Sequence, residues 1–116
     1  MPISTIAGSI GDSLPLPNLA YGVSKAALIN LTTQLAVELG PKVRVNAVAP
    51  AVVKTRFAEA LFTGREDEVS QQYPVGRLGT PEDIGEAAAY LLGDGAGWVT
   101  GQTLVLDGGA LSRGPI

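Results

Sequence analysis

An α/β fold with a parallel sheet is predicted by three features of the chain. A valine-rich run, Val43–Ala49, follows a long helical pattern after the break Gly40-Pro41. A capped helix after Thr80 is followed by a second apolar run, Thr103–Leu106. Most glycines and prolines gather between these elements. Strands that alternate with helices in this way form βαβ units whose strands run side by side in one direction. The element order reads β-α-β-α-α-β within 116 residues. No repeat and no dividing linker interrupts it, so 1–116 reads as a single unit.

Met1–Ala7 has the look of the end of a short strand, although Pro2 lacks the N–H that an inner strand uses. Gly8–Asn18 carries two glycines and two prolines before Asn18 and reads as a loop. From Leu19 to Leu39, Leu28, Leu31, Leu35 and Leu39 recur at three- and four-residue steps, the period of a helix face. Ala26, Ala27, Ala36 and Val37 widen that surface. Gly40-Pro41 stops the helix.

Val43–Ala49 is the next strand and Pro50 ends it. Ala51–Tyr73 is less regular: Thr55–Phe62 fits one or two helical turns, and the charged Gly64–Gln72 reads as an exposed, mobile segment. Thr80-Pro81-Glu82-Asp83 opens the clearest helix, with Thr80 as N-cap, Pro81 first inside and Asp83 as the capping-box acid. Ile84, Ala87, Ala88, Leu91 and Leu92 form its apolar stripe. Gly93, Gly95 and Gly97 end it. A phosphate-binding loop needs a strand before it and a helix after it, the reverse of the order here. Asp107-Gly108-Gly109 stops the last strand, and Ala110–Ile116 shows no regular pattern.

The chain has no cysteine and no histidine. That removes thiol and Ser-His-Asp nucleophiles, disulfides and the usual zinc ligands. A net charge of -3 with scattered Lys and Arg offers no basic stripe for nucleic acid. No apolar run spans a bilayer, and the N-terminus lacks a secretory pattern, so a cytoplasmic address is expected. Tyrosine, lysine and carboxylates remain for acid–base work. Tyr21 and Lys25 are one helical turn apart and share a face. A lysine charge beside a phenol favours phenolate and lowers its pKa from about 10. Such a phenol suits proton exchange with a carbonyl or alcohol oxygen.

Five ordered pieces carry a family resemblance: Ile3–Gly8, Tyr21–Leu28 (Tyr-Gly-Val-Ser-Lys-Ala-Ala-Leu), Val43–Pro50, Gly76–Asp83 and Thr100–Gly109. In order and spacing they resemble the C-terminal half of a classical short-chain dehydrogenase/reductase. The resemblance implies the C-terminal part of a Rossmann-like doubly wound sheet that binds NAD or NADP. It implies hydride exchange between nicotinamide and a small carbonyl or alcohol substrate. Tyr21 would be the acid–base, and Lys25 would lower its pKa and hold the nicotinamide ribose. Thr5 would stand where the family has a catalytic serine, with Ser4, Ser9 and Ser13 as other hydroxyls nearby. Pro50, Val53 and Thr55 would border the nicotinamide. Pro50 can also simply end a strand, and Thr55 can cap a short helix.

The chain departs from the family pattern in four places. Threonine replaces serine at Thr5, the loop before Tyr21 is longer, and Ala51 follows Pro50 where glycine is common. A positive φ at Ala51 would cost about 1 kcal/mol. The N-terminal dinucleotide-binding half, with its glycine-rich strand–turn–helix, is missing from these residues. The isolated chain is therefore expected to be inactive as a dehydrogenase, and a sheet lacking neighbours exposes an edge. A second function class stays open: a non-catalytic interaction module, because family members form subunit contacts through the Leu19–Leu39 helix and the final helix–strand region. A Schiff-base role for Lys25 would need a desolvated amine, and no pattern in the chain supplies one.

Overall fold

A computed structural model of the chain describes residues 16–51, 53–54, 64 and 66–113. Side-chain surroundings are described from Gly22 onward. The expected first strand, the Gly8–Pro15 part of the loop, Thr5, Thr55 and the Thr55–Phe62 turns lie outside the described residues.

The valine-rich run lies at the centre. Ala47–Pro50 (β1) pairs in parallel with Thr103–Leu106 (β2), Ala47 opposite Thr103 and Pro50 opposite Leu106. Ala47, Val48 and Ala49 are fully buried. Small side chains on both faces let other elements approach closely, as a buried parallel strand requires. The strand is shorter at its start than the sequence pattern implies. Val43–Asn46 does not join the ladder: side-chain oxygens take the place of ladder carbonyls there, the Val45 N–H donating to Thr100 Oγ1 and the Gln102 N–H to Asn46 Oδ1, each at 3.1 Å. Pro50 is the last paired residue; the next amide, on Ala51, donates to Leu106 O at 3.0 Å.

Leu16–Leu39 forms one helix, α1. It starts earlier than expected because Pro17 is tolerated in a first turn, where its missing N–H would be unpaired anyway. Its buried line also differs from the leucine ladder. Thr32 is fully buried and Ala36 nearly so, whereas Leu31 is 47% and Leu39 42% exposed. Thr32 tolerates burial because its hydroxyl donates to Leu28 O at 2.9 Å.

The charged segment is mostly exposed, as expected, and contains a short helix, Glu66–Ser70 (α2). Val69 anchors it and forms a core cluster with Tyr73 and Leu78. A single valine in a charged stretch carries little periodic signal, so this anchor escapes pattern reading. Pro81–Leu92 (α3) follows with the expected capping box at Thr80 and Asp83. It packs on β1. Leu91 is buried, but Leu92 is 69% exposed and leaves the predicted stripe.

The glycine-rich stop is a 3-10 turn, Asp94–Ala96. After β2, Ala110–Arg113 adds one helical turn (α4) where no regular structure was expected. Asp107 makes that turn: its carboxylate accepts the N–H of Gly109 at 3.0 Å and of Leu111 at 2.8 Å. Among the described residues, no helix is long and apolar enough to cross a membrane.

Candidate active site

Both strands end at the same rim. Ala51 after β1, and Leu106, Asp107 and Gly108 at the end of β2, line a cavity of about 240 Å³ together with Tyr73 and Arg77. Ligands of open α/β sheets bind in the crevice outside the carboxyl ends of the strands, which is where this cavity lies.

The wall beyond β1 is stiffly built. Val53 pairs with Gly79 in an isolated parallel bridge, and the Lys54 N–H donates to Gly79 O at 2.9 Å. Lys54 also forms an ion pair with Glu66. Arg77 grips Asp83 with both guanidinium nitrogens, at 2.7 and 3.0 Å. The same carboxylate accepts the Thr80 N–H at 2.8 Å and its hydroxyl at 3.1 Å. The Arg77 guanidinium, helped by the Thr80 N–H, holds the Asp83 carboxyl well below the usual carboxylate range. The pair raises the Arg77 pKa in return.

The wall beyond β2 is shaped by glycine. Gly108 and Gly109 have φ of 58° and 91°, a region costly for residues with a Cβ. A Cβ on Gly109 would lie 2.9 Å from the Pro74 ring, so this turn presses against the Tyr73–Val75 segment. Ala51, by contrast, has no positive φ, so alanine in place of glycine carries no backbone strain there.

The opposite end of the sheet is clamped by polar side chains. Arg44 donates to the carbonyls of Leu91 (2.8 Å), Gly93 (3.2 Å) and Val99 (3.2 Å), covering the open end of α3. Asn46 is 3% exposed. Its amide donates to Val99 O at 3.0 Å, and its oxygen accepts the Gln102 N–H at 3.1 Å. Both side chains were read from the sequence only as strand residues.

Of the expected site residues, Pro50 is the last residue of β1 and Val53 stands on the loop beyond it, both half-buried. Tyr21 and Lys25 lie one turn apart on α1. The backbone places Tyr21, whose side chain is outside the described set, and Lys25 is half-buried. Lys25 is not among the described residues lining the cavity. Arg77 went unremarked in the sequence, although its position three residues before a capping threonine and six before the capping acid was a usable signal.

With this geometry in place, the chain can be set beside known proteins. A family model described as Enoyl-(Acyl carrier protein) reductase matches residues 3–110. Dehydrogenase/reductase SDR family member 4 of Sus scrofa is 42% identical over 112 residues, which span 93% of this chain and 40% of that protein. The short-chain dehydrogenase/reductase (glucose/ribitol dehydrogenase) of Brucella melitensis superposes with a TM-score of 0.85 at 36% identity, over 93% of this chain and 43% of that one. A 4-hydroxyisoleucine dehydrogenase solved with NADH superposes with a TM-score of 0.83 at 32% identity, over 97% and 46% respectively. The chain thus spans under half the length of these relatives. The parallel β1–β2 pair, the helices that connect along it and this match along nearly the whole chain establish that it belongs to the short-chain dehydrogenase/reductase family, to the C-terminal part of whose members it corresponds.

Proposed function

We propose that these residues form the acid–base half of an NAD(P)-dependent oxidoreductase site acting on a small carbonyl or alcohol. The observation that carries this reading is the placement of Tyr21 and Lys25 one turn apart on α1 in a chain of this family. The Tyr21 hydroxyl gives its proton to the carbonyl oxygen in reduction and takes it back in oxidation. The Lys25 ammonium favours the phenolate that remains. The Thr5 hydroxyl donates to the same oxygen. A bound nicotinamide supplies or accepts the hydride.

The residues present fit a nicotinamide on one side. Pro50 offers ring surface and no N–H at the end of β1, and Val53 is pinned beside it by Gly79. Thr55 completes that border, and Lys25 holds the ribose. A solved relative with NADH supports this class of cofactor. The pyrophosphate would need a glycine-rich strand–turn–helix unit, which these 116 residues do not contain. We therefore read 1–116 as one partial domain and expect the chain by itself to show neither saturable NAD(P)H binding nor turnover.

A chimera tests the reading. The glycine-rich half of the Brucella melitensis relative, continued by this chain, should reduce a carbonyl with NADH or NADPH. Tyr21→Phe should lower its kcat by about 10²- to 10⁴-fold. Full turnover in the phenylalanine variant would contradict the assignment.

A second reading, self-association, is favoured by exposed apolar residues on α1: Val23 is 61%, Leu31 47% and Val37 79% exposed. Light scattering that finds only monomer would remove it.

A further inference from the structure

We propose that Arg77 and Asp83 are positioning residues for the loop that leaves β1: their ion pair locks the Gly79 backbone in the shape that holds Val53 and Lys54. Both peptide groups flanking Gly79 are held. The Leu78 carbonyl accepts from Arg77 Nη1 at 3.0 Å, and the Thr80 N–H donates to Asp83 Oδ2 at 2.8 Å. The Gly79–Thr80 peptide meets the loop with its other end, where Gly79 O accepts the Lys54 N–H at 2.9 Å. Leu78, 1% exposed, anchors this strap in the core.

The arrangement exceeds what α3 needs. A helix N-cap requires only an acceptor at Asp83 and the Thr80 hydroxyl. The guanidinium fork adds a second direction of restraint, from the cap back to the carbonyl on the other side of Gly79. Without the fork, the Gly79 peptide is free to tilt and the Lys54 bond lengthens, while the β1–β2 ladder is untouched. The consequence for the nicotinamide border rests on the proposed function; the coupling between Asp83 and Lys54 does not.

Amide hydrogen exchange on the full chain tests the coupling without cofactor or substrate. Arg77→Leu and Asp83→Asn should each speed exchange at Lys54 by about tenfold. The Ala47 and Ala51 amides, which donate to Gln102 O and Leu106 O, serve as internal references and should not change. Asp83→Asn keeps an acceptor for the cap, so it decides the matter if Arg77→Leu disturbs the whole fold. Asp83→Glu retains the charge and the cap and should restore slow exchange at Lys54. Unchanged Lys54 exchange in Asp83→Asn, or a Lys54 amide that is already unprotected in the parent chain, overturns the proposal. So does Asp83→Glu exchanging as fast as Asp83→Asn. Loss of Tyr21-dependent turnover in the chimera would leave these results standing, so the two ideas fail separately.

Discussion

Gly101 and Ala36 meet where α1 reaches the amino-terminal end of β2: a Cβ on Gly101 would lie 3.3 Å from the Ala36 Cβ. Gly101 also has φ of 72° and donates its N–H to Val45 O at 2.7 Å. Three demands converge on it: a left-handed backbone, close approach of a helix and a short hydrogen bond. Gly101→Ala should destabilise the fold by about 1–2 kcal/mol, from backbone strain plus crowding. The urea midpoint measures it, and an unchanged midpoint would show that α1 moves aside freely.

Arg44 ties α3 to the segment before β2 through three carbonyls. Hydrogen bonds from a charged donor are worth about 1.5–3 kcal/mol together with the cost of leaving acceptors unpaired. Arg44→Ala should therefore lose about 2 kcal/mol in equilibrium unfolding. Arg44→Lys should recover less than half of that, because one ammonium does not reproduce the planar fork.

Asn46 is the most deeply placed polar group of the clamp. Asn46→Ala strands the Gln102 N–H and removes the donor to Val99 O. Leaving a buried group unpaired costs about 1–3 kcal/mol. The Gln102 amide should lose protection from exchange more than Ala51, whose partner Leu106 O is unaffected.

Asp83 sets an acid limit. Its carboxyl is held below the unfolded value of ~3.9 by Arg77 first and by the Thr80 N–H second. A depressed folded pKa means the unfolded chain binds the proton more readily. The contribution is fully present above about pH 4 and is lost as pH falls toward the folded value. Asp83→Asn should flatten the stability curve below about pH 4 relative to the parent. Curves that stay parallel there would show that the pair does not stabilise the fold.

Much of the frame was legible in the sequence for identifiable reasons. The Thr80–Asp83 cap is local chemistry that fixes the start of α3, and β2 showed as the apolar run Thr103–Leu106 before Asp107-Gly108-Gly109. The parallel pairing of β1 and β2 followed from helix–strand alternation. What escaped depended on partners far along the chain. Arg44 and Asn46 looked like strand residues because Val99 and Gln102, which they hold, lie more than fifty residues away. Gly64–Gln72 is mostly exposed, as its charge implied, but the helical turn there escaped because Val69 is buried only by meeting Tyr73 and Leu78. Thr32 was passed over in favour of leucines because its burial depends on a bond to its own helix. The spacing of Tyr21 and Lys25 puts them one turn apart on α1. The pair's chemistry depends on where two side chains point, which spacing leaves open.

The phenol's acidity tests the central claim most directly. With tyrosine labelled at the ring carbon bearing oxygen, the Tyr21 resonance is identified by its loss in Tyr21→Phe. Its titration should have a midpoint below the ordinary value of about 10, and Lys25→Met should move it upward. A Tyr21 midpoint at or above the ordinary value, unmoved by Lys25→Met, would contradict the account.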